Sequence, residues 1–188
     1  HSMGGGIAAL TAARYSNLVA RAGLLDAAGV RFEDNQFGQD VLAGKNPFGV
    51  SDEASLEQYL ATVFHNRDTR PWMPWPTSGI YIDQRRRDAA FEQSVLDKIG
   101  RSEERFLPGA EAVYISQPAL LLWCREDKVI DPSAMSLYAE RVPHASQVLL
   151  EDCGHMSLME RPGETAEAIA MTIERGAPGA EQPLGGSQ

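Results

Sequence analysis

A continuous apolar run near the C-terminal end of the chain constrains the fold more than any other feature. The segment Pro118-Ala-Leu-Leu-Leu-Trp-Cys124 carries no charged side chain and ends directly before Arg125-Glu126-Asp127. A strand that is apolar at every residue is typical of a parallel sheet with helices on both faces, because both sides of the strand are buried. A second strand is predicted at residues 19–25 and a shorter one at residues 146–150. Together with the intervening helical patterns, they predict an α/β fold.

Chemically useful side chains follow two of these predicted strands. Asp127 comes shortly after Cys124, and His155 follows the strand at 146–150 in the loop Glu151-Asp-Cys-Gly-His155. Ligands of parallel α/β sheets bind at the carboxyl ends of the strands. We therefore expect Asp127 and His155 to lie at the same edge of the sheet.

The first residues of the chain contain a candidate nucleophile. His1-Ser2-Met3-Gly4 matches the last four positions of a G-x-S-x-G turn and runs into a helical pattern at Ile7-Ala-Ala-Leu10. Such a sharp turn exposes the serine hydroxyl and brings backbone N–H groups close to the reacting atom. Ser2 is therefore the predicted nucleophile, His155 its base and Asp127 the acid that orients the base. The backbone N–H of Met3 is the predicted oxyanion donor.

These motifs resemble those of the α/β-hydrolase superfamily. The resemblance rests on the turn at Ser2, on Leu24-Leu-Asp26, on the stretch Leu122-Trp-Cys-Arg-Glu-Asp127 with Lys128-Val-Ile130, and on Glu151-Asp-Cys-Gly-His155 with Glu160-Arg-Pro162. It covers residues 1–30 and about 113–175, and it is strongest toward bacterial lipases and esterases with a helical cap. The carbon–carbon hydrolases of meta-cleavage products are less similar. Relatives usually carry glycine at Cys124, and we expect this departure to perturb the turn without changing the chemistry.

The resemblance implies a domain organisation. It predicts the C-terminal part of an α/β-hydrolase parallel sheet with flanking helices, formed by residues 1–30 and 113–176, and a helical cap inserted at residues 31–112. Helices are predicted from Ser51 and Asp52 onward, at 80–99 and at 163–175, and residues 177–188 are predicted to be a disordered tail. The first residue is not methionine and the strands expected before the turn are missing, so we expect a portion of a longer protein. An upstream loop would then supply the second oxyanion donor, and the piece alone is expected to be inactive.

A loop rich in proline and aromatic residues lies within the predicted cap. Its sequence is Arg70-Pro-Trp-Met-Pro-Trp-Pro76, and three prolines exclude a regular element there. Trp72, Met73 and Trp75 are candidate residues of an acyl pocket. They are equally compatible with packing the core of the cap itself.

The most specific function that these features predict is hydrolysis of a carboxylic ester or lipid through an acyl-enzyme. Three alternatives stay open at this point: a carbon–carbon bond hydrolase, a non-catalytic binding protein of the same fold, and a partner-binding piece completed by another chain. Asp26 and Asp131 are alternative acids, although Asp131 can instead cap the helix after Pro132. His65 and His144 are interpreted as surface residues.

The charge and the cysteine content limit which classes of partner and which thiol chemistry the sequence predicts. The net charge of −9 argues against nucleic-acid binding, and Arg85-Arg-Arg87 is interpreted as a solvated helix face. No apolar run approaches the ~20 residues of a membrane span. Cys124 and Cys153 are predicted to be buried free thiols rather than a disulfide. No cofactor and no metal site are predicted, and the sequence leaves the localisation open.

Overall fold

The computed structural model describes residues 1–174 and contains a three-stranded parallel sheet in the order β1-β2-β3. Its strands are β1 (Ala22–Leu25), β2 (Ala119–Cys124) and β3 (Ser146–Leu150). The helices of this part of the chain are α1 (Ser2–Arg14), α2 (Gln36–Leu42), α3 (Glu53–Val63), α4 (Thr77–Arg101), α5 (Leu107–Glu111), α6 (Ser133–Ala139), α7 (Ser157–Glu160) and α8 (Pro162–Glu174), with short 3₁₀ turns at Arg67–Thr69, Glu103–Phe106 and Ala112–Tyr114. The α/β prediction is confirmed.

Strand β2 is the centre of the core. All six of its residues are buried, as its unbroken apolar sequence predicts. Leu121 and Trp123 pack in a large cluster that includes Ala9 and Ala12 of α1, whereas Leu120 and Leu122 pack on the opposite face beside α8. Because helices cover both faces, polar side chains can approach the sheet only at the strand ends.

The segment between β1 and β2 consists of helices joined by loops, and residues 26–118 contain no strand. The Asp52 side chain caps α3 by accepting a hydrogen bond from Ser55 N, and the Ser55 hydroxyl lies 3.0 Å from Asp52 N in return. Helix α5 packs on α1, and its Gly109 N donates to Gly29 O in the loop after β1 at 2.8 Å. Residues 31–112 as a separate cap domain stay a prediction.

The ends of the predicted elements shift by a few residues. Strand β1 is shorter than the predicted 19–25, and α4 is longer than the predicted 80–99. The last helix is described as far as Glu174. The predicted tail at 177–188 lies outside the described residues.

Candidate active site

Ser2 lies at the start of α1 in a backbone conformation that non-glycine residues rarely adopt. Its φ is +54°, and its carbonyl accepts a hydrogen bond from Ala28 N in the loop after β1. A β-carbon on Gly5 would come within 2.5 Å of Ala27 Cβ, so the helix can approach this loop only if glycine stands there. The close approach fixes Ser2 at the carboxyl edge of the sheet.

The three residues predicted as nucleophile, base and acid form one hydrogen-bonded chain. The Ser2 hydroxyl oxygen lies 2.8 Å from His155 Nε2, and His155 Nδ1 lies 2.8 Å from Asp127 Oδ2. The imidazole is 2% exposed and Asp127 is 4% exposed, whereas Ser2 is partly open. Strands β2 and β3 are parallel neighbours, so the loops that follow them deliver Asp127 and His155 to the same edge.

Backbone N–H groups orient the carboxylate of Asp127. Its Oδ1 accepts hydrogen bonds from Val129 N at 2.7 Å and Ile130 N at 3.1 Å, which leaves Oδ2 for the imidazole. Burial lowers the pKa of His155, but the charge and hydrogen bond of Asp127, together with the charge of Asp26, raise it by more, so the net shift is upward. The site therefore favours an imidazole that gains a proton.

Asp26, the alternative acid, is fully buried but engages other partners. Its Oδ1 accepts from Cys124 N at 3.0 Å, and its Oδ2 accepts from the Ser157 hydroxyl at 2.6 Å. Burial and the neighbouring charge of Asp127 raise the pKa of Asp26 to about 7. The carboxylate hydrogen-bonded to His155 is that of Asp127.

The other residues named as candidates have structural contacts or lie at the surface. Asp131 Oδ1 accepts from Ser133 N at 2.9 Å, which matches a capping role at α6. The backbone N–H of Met3 lies in the first turn of α1, where N–H groups lack an intrahelical acceptor. His65 and His144 are exposed, as predicted. His1 Nε2 contacts the carbonyl of His155 at 2.6 Å.

The prediction of free thiols is wrong, because Cys124 and Cys153 form a disulfide. The bond joins the end of β2 to the loop that carries His155, and both cysteines are fully buried. Glu126 adds two hydrogen bonds between the same segments: its N–H donates to Cys153 O, and its carboxylate accepts from Cys153 N, each at 3.1 Å. The proximity of two strand ends was visible in the sequence, but the direction of the side chains was not.

A largely apolar cavity of about 150 Å³ opens beside Ser2 and Met3. Its walls come from the loop after β1, from α2 and α4, and from Val129 and Ile130. An open cleft of about 450 Å³ reaches Ser2 and His155 from another direction and is lined by Asn46, Arg85 and Glu92 as well as apolar residues of α3 and α4. Most of these lining residues carry no motif, and sequence reasoning missed them.

Two predictions about the helical segment need correction. Trp72 and Trp75 are 87% and 84% exposed and do not line the cavity beside Ser2, while Met73 is partly buried against the core. Prolines preset an extended backbone here, but that backbone lies at the surface. Arg85 is not on a fully solvated face: its guanidinium contacts Phe48 O at 2.7 Å and Glu92 at 3.1 Å.

The family model for the alpha/beta hydrolase fold matches residues 1–162. The chain belongs to the α/β-hydrolase family. Within the described part, residues 1–174, there is no cluster of three or more His, Cys, Asp or Glu side chains suited to a metal ion. Nor does any helix of residues 1–174 have both the length and the apolar character that crossing a bilayer requires.

Curated relatives of the chain are lipases. The chain is 30% identical over 176 residues to human monoacylglycerol lipase ABHD6, covering 89% of this chain and 51% of that protein. It is 25% identical over 173 residues to lipase 1 of Psychrobacter immobilis, covering 89% and 52%. The chain thus spans about half the length of the curated relatives it matches.

Solved structures agree on the fold. A membrane phospholipase A described as a bacterial virulence factor superposes with a TM-score of 0.81 at 31% identity, covering 92% of this chain and 55% of that one. The meta-cleavage product hydrolase CumD superposes with a TM-score of 0.68 at 21% identity, covering 92% and 62%, and this likeness concerns the fold alone.

Proposed function

We propose that this protein hydrolyses carboxylic esters, with Ser2 as nucleophile, His155 as general base and Asp127 as the orienting acid. The observation that carries the proposal is the continuous hydrogen-bonded chain from the Ser2 hydroxyl through both imidazole nitrogens to Asp127. The unusual φ of Ser2 supports it, because strained nucleophiles at a strand-to-helix turn are a known catalytic device. The sequence similarity to lipases supports carboxylic esters as the class of substrate.

The reaction follows from this geometry. As the Ser2 oxygen bonds to the ester carbonyl carbon, its proton passes to His155 Nε2, and Asp127 stabilises the resulting cation. The Met3 N–H donates to the oxyanion. When the tetrahedral intermediate collapses, the bond between the carbonyl carbon and the alcohol oxygen breaks, and this oxygen takes the proton from His155. Water then repeats the sequence on the acyl-enzyme and releases the acid.

The cavity beside Ser2 is the proposed site of the acyl group. Its lining is apolar, with Phe37, Val41, Leu96 and Ile99 among the contributors. A cavity of roughly 150 Å³ lined by such residues holds about one benzene ring. We therefore propose short acyl chains or an aryl group as the acyl part, with the alcohol part in the open cleft.

A panel of p-nitrophenyl esters on the full-length protein tests the proposal. We expect turnover to be highest for short acyl chains and covalent labelling of Ser2 by a fluorophosphonate. Leu96→Ala, which enlarges the cavity, should shift the preference toward longer chains by several-fold to about tenfold. The control Ser16→Ala changes an exposed serine and should label normally. Labelling that survives Ser2→Ala would contradict the assignment.

A further inference from the structure

Glu160 is a buried carboxylate that the catalytic scheme does not use. It is the last residue of α7 and only 7% exposed. Within residues 1–174 it forms no ion pair with Lys, Arg or His. Burying a carboxylate is costly unless hydrogen bonds compensate the lost hydration, so its partners indicate what it holds.

Both oxygens of Glu160 accept backbone N–H groups, and they do so from two different parts of the chain. Oε1 accepts from Gly154 N at 2.8 Å, directly before His155. Oε2 accepts from His65 N at 2.9 Å and Asn66 N at 2.8 Å, in the turn after α3. One side chain thus bridges the histidine loop and the helical segment.

The two bridged segments touch backbone to backbone. A β-carbon on Gly154 would lie 2.7 Å from His65 N and 3.2 Å from Val63 O. Val63 also lines the cleft that reaches Ser2 and His155. The position of His155 and the wall of the substrate cleft therefore depend on the same contact.

We infer that Glu160 is a positioning residue that locks the His155 loop to the end of α3, so that the imidazole stays between Ser2 and Asp127. The inference rests on the proposed function for its kinetic consequence, but the clamp itself is a property of the structure. Hydrogen bonds to a carboxylate are stronger than neutral ones, and three converge on this side chain. Misplacing a catalytic group by about 1 Å can lower a rate by ~100-fold.

Glu160→Gln is the first test. It preserves the size of the side chain but replaces one acceptor oxygen with an NH₂ group, which then faces an N–H donor on one side of the bridge. We expect kcat per labelled active site to fall by roughly tenfold to a hundredfold, with a smaller change in KM. The matched control is Glu164→Gln, an exposed glutamate one turn later, which should retain the parent kcat.

A second pair of variants covers the possibility that Glu160→Gln does not fold. Asn66 has a φ of −83°, which proline can adopt, so Asn66→Pro removes one N–H from the bridge. Asn66→Ala keeps that N–H and loses only the side-chain cap on Asp68 N. We expect the proline variant to have a several-fold lower kcat than the alanine variant.

Nuclear magnetic resonance of the His155 ring separates this inference from the proposed function. In Glu160→Gln the proton shared by His155 Nδ1 and Asp127 should shift or broaden, and the ring should titrate at a lower pH because its contact with Asp127 is weakened. A purely structural role would leave both signals unchanged in the folded variant. A folded Glu160→Gln variant with parent kcat and parent His155 signals would overturn the clamp. A parent protein that neither hydrolyses esters nor labels at Ser2 would instead overturn the proposed function, and the ring signals would still decide the clamp.

Discussion

The edge of the sheet and the proline-aromatic loop at 70–76 are built in opposite ways. At the sheet edge, Asp127 and His155 are buried and each is fixed by backbone donors or a neighbouring side chain. In the loop, Trp72 and Trp75 extend into solvent. The side chains that follow the strands thus meet in one hydrogen-bonded chain, whereas Trp72 and Trp75, predicted as pocket residues because prolines flank them in the predicted cap, do not line the cavity beside Ser2. The type of a side chain predicts a functional site only where the backbone fixes the direction in which that side chain points.

The largest effect should come from removing the proposed nucleophile or the proposed base at the sheet edge. In the full-length protein, Ser2→Ala and His155→Ala should each lower kcat for ester hydrolysis by about a millionfold, and the double variant should be scarcely worse, because triad members act as a unit. Steady-state kinetics with matched circular dichroism spectra would measure this. Near-normal turnover by Ser2→Ala would remove the basis of the mechanism.

Asp127→Asn should have the next largest effect. It leaves an amide where His155 needs an acceptor, so kcat should fall by roughly ten-thousandfold. Asp131→Asn, whose side chain caps α6, is the control and should be mild. If the large loss appeared at Asp26→Asn instead, the acid would be the carboxylate that follows β1 and not the one that follows β2.

Breaking the disulfide should destabilise the edge of the sheet while leaving Ser2, His155 and Asp127 unchanged. Replacing Cys124 and Cys153 by alanine together should lower the free energy of unfolding by roughly 3–4 kcal/mol, as expected for a closed loop of about 30 residues. Denaturant unfolding would measure the loss. The chain has two cysteines, so a reductant should weaken the parent protein and leave the double variant unaffected. Equal sensitivity of the two proteins would show that the bond is absent in solution.

Asp26 should make stability depend on pH. Its folded-state pKa of about 7 lies above the ordinary 3.8, so the folded state binds the proton more tightly, and this contribution to stability is lost as the pH rises from about 4 to about 7. The Asp26→Asn variant has no titrating carboxyl at this position, so it does not lose this contribution to stability as the pH rises. Its melting temperature relative to the parent should therefore increase between pH 5 and pH 8, in about the range where the carboxyl titrates. Melting curves that keep a constant offset across this range would contradict the raised pKa.

Substitutions in the proline-aromatic loop at 70–76 should have the smallest effect on stability and activity. Trp72→Ala and Trp75→Ala should change the free energy of unfolding by no more than about 0.5 kcal/mol and should leave chain-length preference unchanged, because both side chains are exposed and neither lines the cavity. Leu96→Ala, which lines the cavity, is the positive control in the same ester panel. A selective loss of activity toward long-chain esters in either tryptophan variant would show that these residues do contact the substrate.

Much of the site could be predicted because local sequence fixes it. The apolar run of β2 requires burial on both faces, and a parallel sheet then puts the residues after β2 and β3 at one edge. The turn at Ser2 needs glycine at position 5 for close approach to Ala27, and that pattern is also written in the sequence. Ser2 and His155 could therefore be predicted without coordinates, and Asp127 could be favoured as the acid while Asp26 and Asp131 stayed open.

What the sequence left open depended on side-chain direction and on contacts between distant segments. The Cys124–Cys153 disulfide, the carboxylate bridge of Glu160 and the walls of the cavity join residues that are far apart along the chain. No local periodicity encodes these contacts, since they arise only when strands and helices pack. The sequence alone determined the fold class and the order of the candidate catalytic residues. Tertiary structure decided which carboxylate meets His155, what holds its loop and where a substrate can lie, because these depend on distances that packing sets.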